Sequence, residues 1–423
     1  MKEGCPGSIR FEGETARHPC YSFDAHGQFA RMHLPVAPMC NISCNYCNRK
    51  YDCVNESRPG VTSELLNPVS AMVRFVRVKE TMPHLSVVGI AGPGDALANW
   101  NAVKRTVWLI RDLSPDTMVC LSTNGLMLPA YAKELLRLGV KHITVTVNCL
   151  DPEIGAKIYS RVRYEDKELT GEEGASLLIR NQLEGIRLLS EGGAIVKVNC
   201  VMIKGINDTH IPEVVKKVKS LGAVLTNIMP LIPAPGSVFE AFPQTSMKDL
   251  NGLRSRCEED LPQMRHCRQC RADAVGLLSE DRSHEFRDTA AIPLKRAASG
   301  PGTTYRVAVA SKEQKRVDLH YGHADEFYIY DVDGVKSLFV EKRHVNKYCE
   351  GVEDCGGEEK DSVVEAISDC NAVLSMRTGH EARMRLAQHG ITAVESCTAI
   401  DEGLVHAYYT LKRAEERLKA ASG

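Results

Sequence analysis

The chain has 423 residues, 43% hydrophobic and 25% charged, a length and balance that fit two or three globular domains and exclude a wholly disordered chain. Lys and Arg number 53 against 54 Asp and Glu, so the net charge of -1 leaves no global field to draw in nucleic acid. No apolar run nears the roughly 18–20 residues of a membrane helix, and the opening Met-Lys-Glu-Gly-Cys-Pro-Gly lacks the apolar centre of a signal peptide, so a cytoplasmic protein with no membrane and no nucleic-acid partner is expected.

Residues 1–34 read as irregular and polar, with two cysteines and three histidines. A strand is expected at Leu34–Pro38, then at Leu85–Ala91, Met118–Ser122, His142–Val147, Ile195–Ile203 and Val224–Ile232. Helical patterns near 99–112, 129–138, 175–191 and 212–220 lie between them. Short apolar strands joined by helical crossovers make a parallel sheet. Six βα units fall short of the eight in a closed TIM barrel, so a partial, curved (βα)6 barrel is expected. Residues 236–288 turn polar, and 289–304 read as a basic linker rich in small residues, Pro and Gly. A second α/β pattern starts at Tyr305. Its strands are expected at Tyr305–Ala310, Phe327–Val332, Val335–Arg343, Ala372–Ser375 and Ile391–Glu395, and its helices at Ser362–Ile367, Glu381–Gln388 and Asp401–Ala421. Residues 1–288 and 305–423 are therefore expected as two domains.

Cysteine is the anomaly. The chain holds 16, twelve of them within residues 1–270. In a reducing compartment such clustering points to metal or cluster ligation before disulfides. The strongest motif is Cys40-x3-Cys44-x2-Cys47, with Tyr46 before the third cysteine, on the loop after the first expected strand. Active sites of barrels form at that end of the strands. Three thiolates hold three irons of a 4Fe–4S cube and leave one iron open. Zinc would favour four ligands in paired C-x2-C units.

This motif at the first βα loop of a partial barrel resembles the radical S-adenosylmethionine (SAM) superfamily. The resemblance implies that the open iron binds SAM and that one-electron reduction cleaves SAM to methionine and a 5′-deoxyadenosyl radical. Gly89-Ile-Ala-Gly92-Pro-Gly94-Asp95 at the end of the second strand resembles the glycine-rich segment whose backbone pairs with the SAM amino group. Ser122 and Asn124 at the end of the third strand, Asn148 at the end of the fourth, and Tyr46 resemble SAM-pocket positions.

The run Cys40–Gly60, together with Gly92–Asn99, Gly205–Asp208 and Met229–Gly236, is similar to a narrower family, the NifB-type nitrogenase cofactor maturases. That likeness spans roughly residues 15–285, with Asp95-Ala96 where relatives often carry Glu-Pro. It implies that two further 4Fe–4S precursor clusters sit beside the SAM cluster. They fuse into an 8Fe–9S–C precursor of the iron–molybdenum cofactor, with one added sulfur and a central carbide. One SAM gives a methyl group to a cluster sulfide; a second yields the radical that abstracts hydrogen from that methyl. Matching residue by residue, Cys20, His33, Cys53 and Cys120 would hold one precursor cluster, and Cys257, Cys267 and Cys270 the other. Glu56, three residues after Cys53, is a candidate proton acceptor or a solvated loop acid. Arg49, Lys50 and Arg58 could offset cluster charge or be solvated surface. Cys5, Cys149 and Cys200 have no assigned role.

Residues 305–423 resemble the NifX-type cluster-binding domain, of ribonuclease-H-like topology, through Arg306–Ala310, His320–Tyr330 and Gly390–Val394. The implied role is to hold or pass on the product, with His320 or His323 a transient ligand or a satisfied loop histidine. Cys349 and Cys355 flank the acidic loop Glu350–Asp354 and could bind metal. The implied partners are Fe–S cluster donors, a reductant, and a cofactor carrier or scaffold of nitrogenase assembly. The rival readings are a radical SAM enzyme whose auxiliary clusters act on an organic substrate, and a non-enzymatic Fe–S carrier.

Overall fold

The computed structural model describes residues 11–57, 60–287, 304–333, 337–345 and 357–421, and the chain divides into two compact units, Met1–Arg287 and Asp288–Gly423. Arg58, Cys5, Cys349, Cys355 and nearly all of 289–304 lie outside the described residues.

The first unit is built on six parallel strands: β1 (Ala30–Pro35), β3 (Leu85–Ala91), β4 (Met118–Thr123), β5 (His142–Thr146), β8 (Ile195–Met202) and β9 (Leu225–Pro230). They follow one another in the sheet in chain order, and β10 (Val275–Gly276) adds an antiparallel edge beside β1. The result is a curled parallel half-barrel. Helices cross over between strands: α1 (Pro68–Thr81), α2 (Trp100–Leu113), α3 (Leu128–Arg137), α5 (Gly171–Glu191) and α6 (Ile211–Ser220). Strand side chains such as Leu34, Ile90, Leu121, Val145 and Val198 bury against Phe75, Val107, Leu135, Leu189 and Val215 from those helices. Burying each such side chain contributes about 1.5–3 kcal/mol.

Beside the half-barrel lies a small antiparallel sheet of β2 (Ile42–Cys44), β6 (Tyr159–Tyr164) and β7 (Lys167–Leu169), with the short helix α4 (Pro152–Ile158) leading into it. It gives the cysteine loop a strand of its own. Helix α7 (Met247–Glu258) follows β9.

The small sheet of β2, β6 and β7, helix α4 and strand β10 were not expected from the sequence, and three further elements differ from that reading. The first strand lies earlier than 34–38, at Ala30–Pro35, because the chain leaves the ladder at Pro35. His33 therefore stands inside the sheet. Helix α1 was not expected, yet Asn67 accepts from the amides of Val69 and Ser70 and Pro68 takes the first turn, a strong start signal. Helix α7 starts likewise at Ser246, whose hydroxyl accepts from the Asp249 amide.

The second unit is a five-stranded sheet: β11 (Tyr305–Val309), β12 (Glu326–Val332), β13 (Ser337–His344), β14 (Ala372–Ser375) and β15 (Thr392–Glu395), in the order β13-β12-β11-β14-β15. β12 runs antiparallel to both neighbours, while β11, β14 and β15 run parallel, the expected ribonuclease-H-like arrangement. Helices α8 (Gly357–Ala366), α9 (His380–Gln388) and α10 (Ile400–Ala421) complete it. Phe327, Ile329, Val373 and Leu386 are central to its core. Among the described residues of either unit, no helix is long and apolar enough to cross a membrane.

Candidate functional site

The loop after β1 is clamped before it reaches its cysteines. The amides of Gly94 and Asp95 donate to the carbonyls of Ala37 and Met39, each at 2.8 Å. Asn99 accepts from the Met39 amide and donates to its carbonyl. Arg49 donates to the carbonyls of Pro38 and Pro93. Gly92 and Gly94 are required for this approach: a Cβ on either would lie 2.3 or 2.0 Å from the Ala37 or Met39 carbonyl oxygen. Both press against the chain's own backbone on their Cβ side, and neither is among the residues that wall the cavity beyond.

The cavity beyond is walled by Cys40, Cys44 and Cys47, with Tyr46, Asp95 and Asn124. Cys53 and Glu56 face the same space. Tyr46 is fully buried, donates to Asn55 Oδ1 at 2.6 Å and accepts from Asn148 Nδ2 at 2.8 Å. Asn148 also accepts from the Val201 amide. Its amide is thus spent on holding Tyr46, so it positions a wall residue and is not itself on the wall. Asp95 accepts from Thr123 and from the amides of Asn124, Leu97 and Ala98, which fixes its carboxylate. Ser122 opens on a different cavity.

Burial pushes the Cys40 thiol up to about 12, with Asp95 adding to it, and pushes Cys44 well above its ordinary value. Such thiols bind as thiolates, so ligation must displace their protons. Burial also lifts Glu56 well above the carboxylate range, with Asp95 and Asp52 adding repulsion.

The second cavity is lined by Cys20, His33, Cys120, Cys267 and Cys270. The sheet register makes half of it. His33 on β1, Gly89 on β3 and Cys120 on β4 stand side by side. A Cβ on Gly89 would lie 2.8 Å from His33 Cδ2 and 3.4 Å from both His33 Nε2 and Cys120 Sγ. The absent side chain leaves open the space between His33 Nε2 and Cys120 Sγ. His33 Nδ1 lies 2.9 Å from the Arg271 carbonyl, so Nδ1 carries the hydrogen and Nε2 is free to ligate. Burial, then Arg31, lowers the His33 pKa to about 4, leaving the neutral imidazole that a metal needs.

Loops make the other half. Cys20, Cys267 and Cys270 are electrostatic neighbours: burial pushes Cys20 up to about 11, and the two others raise it further. An Arg31 N–H reaches Cys270 Sγ at 3.4 Å. Asp273 ties this loop down, accepting from Arg271 and from the Ser63 amide and hydroxyl. Burial alone would raise the Asp273 carboxyl, but Arg271 and Ser63 outweigh it and hold it at about 2. A depressed carboxyl contributes stability above its unfolded pKa and loses it as pH falls through the folded one. Asp273→Asn should therefore cost about 2 kcal/mol at pH 7. The gap to wild type should close between about pH 4 and pH 2, as denaturant titrations across that range would read.

The other expected ligands need correction. Cys257 reaches neither cavity. It lies on α7 with Leu250, Leu253 and Arg254, the i, i+3, i+4, i+7 face that packs into the core. Cys53 faces the first cavity and not the second. Glu56 alone among the described lining residues belongs to both, at their common wall. The sequence reading missed His18 and Lys197, which line the second cavity, and put Gly89 in the SAM segment where the structure places it on this cavity. A lysine in the middle of the apolar run 195–203 was the available signal. Cys149 and Cys200 are buried, and the Cys200 thiol donates to the Val147 carbonyl.

In the second unit His320 and His323 stack, with ring centroids 5.4 Å apart, at a cavity shared with Arg377 and His380.

The radical SAM superfamily model matches residues 34–218, and the model described as dinitrogenase iron-molybdenum cofactor matches residues 303–408. The chain is 46% identical over 405 residues to the FeMo cofactor biosynthesis protein NifB of Klebsiella pneumoniae, covering 89% of this chain and 86% of that one. It is 45% identical to the protein of the same name from Herbaspirillum seropedicae, over 90% of this chain and 80% of that one. Against the one from Azotobacter vinelandii it is 42% identical, over 91% and 86%.

Proposed function

The chain belongs to the NifB family of radical SAM proteins of FeMo cofactor biosynthesis, and from that premise we propose that it fuses two 4Fe–4S clusters into an 8Fe–9S–C precursor. Two cubes bring eight irons and eight sulfides, so the ninth sulfur and the SAM-derived carbide carbon are added. The observation that carries this reading is the second cavity: five sulfur and imidazole side chains line it, and it shares Glu56 with the cysteine-loop cavity. That is more than one auxiliary cluster requires.

In this reading Cys40, Cys44 and Cys47 hold the SAM cluster, and Tyr46, Asp95 and Asn124 shape the space beside it. A cluster and SAM bound there supply one-electron cleavage to a carbon radical. His33 and Cys120 present one pair of ligand atoms from the sheet, while Cys53, which the resemblance assigns to the same cluster, lies on the first cavity. Cys20, Cys267 and Cys270 present a second set from loops, a grouping that moves Cys20 away from the His33–Cys120 set where the resemblance put it. Asn148 holds the Tyr46 hydroxyl. Glu56 takes up protons as the transferred methyl loses its hydrogens. The second unit holds or passes on the product to a carrier, and cluster donors and a reductant feed the first; the setting is cytoplasmic.

The test is to reduce the anaerobically reconstituted protein with SAM and quantify the products. S-adenosylhomocysteine and 5′-deoxyadenosine should both form. Both should fall in Cys267→Ala while the Cys40–Cys47 cluster persists. If 5′-deoxyadenosine alone forms and Cys267 is immaterial, an organic-substrate radical enzyme replaces this reading.

A further inference from the structure

Lys197 and His18 are the two buried N–H donors of the second cavity left without a purpose once its ligands are named; the exposed Arg268 and the buried Asn227, whose Oδ1 also lacks a partner among the described residues, line it as well. Lys197, on β8, is only 7% exposed. Its ammonium has three hydrogens to donate, and the acceptor it meets among the described residues is the Met264 thioether, at 3.8 Å. It also sits 5.3 Å from the centre of the Tyr21 ring. A thioether is a weak acceptor, and a buried ammonium costs several kcal/mol unless a counter-charge meets it. His18 is the second group, 1% exposed. The Cys20 amide donates to its Nδ1 at 3.1 Å, so the hydrogen is on Nε2, and Nε2 is buried with no partner among the described residues. Both side chains line the cavity of Cys20, Cys267 and Cys270.

The missing counterpart must be anionic, must accept N–H bonds, and must fit among thiols. A thiolate-ligated iron–sulfur cluster meets all three conditions, since its sulfides accept N–H···S bonds and its net charge is negative. Arg31 is already committed to Cys270 and to the carbonyls of Gly276 and Leu277.

We propose that Lys197 and His18 form an N–H-donating wall that receives the sulfide face of the cluster held by Cys20, Cys267 and Cys270, and that Lys197 supplies its counter-charge. Both are positioning residues. The inference rests on the maturase reading above. A cation and N–H bonds beside a cluster stabilise its reduced, more negative state, so they raise its reduction potential.

The experiment is a potentiometric titration, followed by electron paramagnetic resonance, of the full chain reconstituted anaerobically, with iron and sulfide content measured alongside. Lys197→Met should keep the Cys40–Cys47 signal and lower the potential of the second-cavity cluster. The shift should be at least tenfold in the reduction equilibrium, which is 59 mV for one electron. Lys197→Arg should restore it. His18→Phe, which keeps the ring volume and removes the N–H, should give a smaller drop and faster loss of iron to a chelator. Potentials unchanged in Lys197→Met and His18→Phe, with wild-type loading, overturn the inference and leave the maturase reading intact. So does an arginine variant as low as the methionine one. If Lys197→Met does not fold, an unchanged potential in His18→Phe overturns it. A wild type that takes up the Cys40–Cys47 cluster alone overturns the maturase reading and this inference with it.

Discussion

Gly89→Ala should abolish binding of the precursor cluster shared by His33 and Cys120 while leaving the fold and the Cys40–Cys47 cluster in place. Gly89 is absent from the glycines with positive φ, so alanine meets no backbone strain there. Replacing a compatible glycine even removes unfolded-state entropy, by about 0.4–1 kcal/mol. The obstruction is local. The new methyl would sit 2.8 Å from His33 Cδ2, and the ring cannot turn away without breaking the Nδ1 bond to Arg271. It would also stand between the two ligand atoms. Iron content should drop by the equivalent of one cluster, and S-adenosylhomocysteine should fall with it. Wild-type iron and product in Gly89→Ala would mean that His33 and Cys120 do not serve one cluster.

Glu56→Gln should leave SAM cleavage largely intact and cut carbide formation by about 10²–10⁴-fold, the range of a lost general base. Glutamine keeps the shape of the side chain where the two cavities meet. It removes the one titratable oxygen pair on that shared wall. The raised pKa sets a second expectation. A carboxyl whose folded pKa is raised contributes stability below its unfolded pKa and loses it as pH rises through the folded one. Glutamine has no such loss, so the variant should match wild type in acid and exceed it in thermal stability as pH rises. Recovery of isotopic label from the SAM methyl in the cluster product measures the first effect. Undiminished label in Glu56→Gln would return Glu56 to the role of a buried structural acid.

Much of this architecture could be read from the chain before folding. The six apolar runs mark the six parallel strands because such strands, covered on both faces, need no polar alternation. The C-terminal strands and helices were legible for the same reason. Local signals were overlooked at α1 and α7, where Asn67-Pro68 and Ser246 start helices whose apolar residues are spaced by three and four. That oversight hid the setting of Cys257, whose spacing to Cys267 imitates a ligand run though its helix turns it into the core. Gly92 and Gly94 show the opposite limit. Their composition marks a close approach, but only the fold says that the partner is the backbone of Ala37 and Met39. Lys197, His18 and Gly89 become meaningful through strand register and loop closure, which join positions more than a hundred residues apart.

The two halves of the second cavity differ in what they allow to move. His33 and Cys120 ride on strands separated by one intervening strand, a backbone spacing of about 9–10 Å that ladder hydrogen bonds fix. Cys20, Cys267 and Cys270 ride on segments with no ladder of their own. The sheet thus holds one pair of side chains at a separation its ladder sets, while the three loop cysteines can settle around whatever that fixed pair leaves room for.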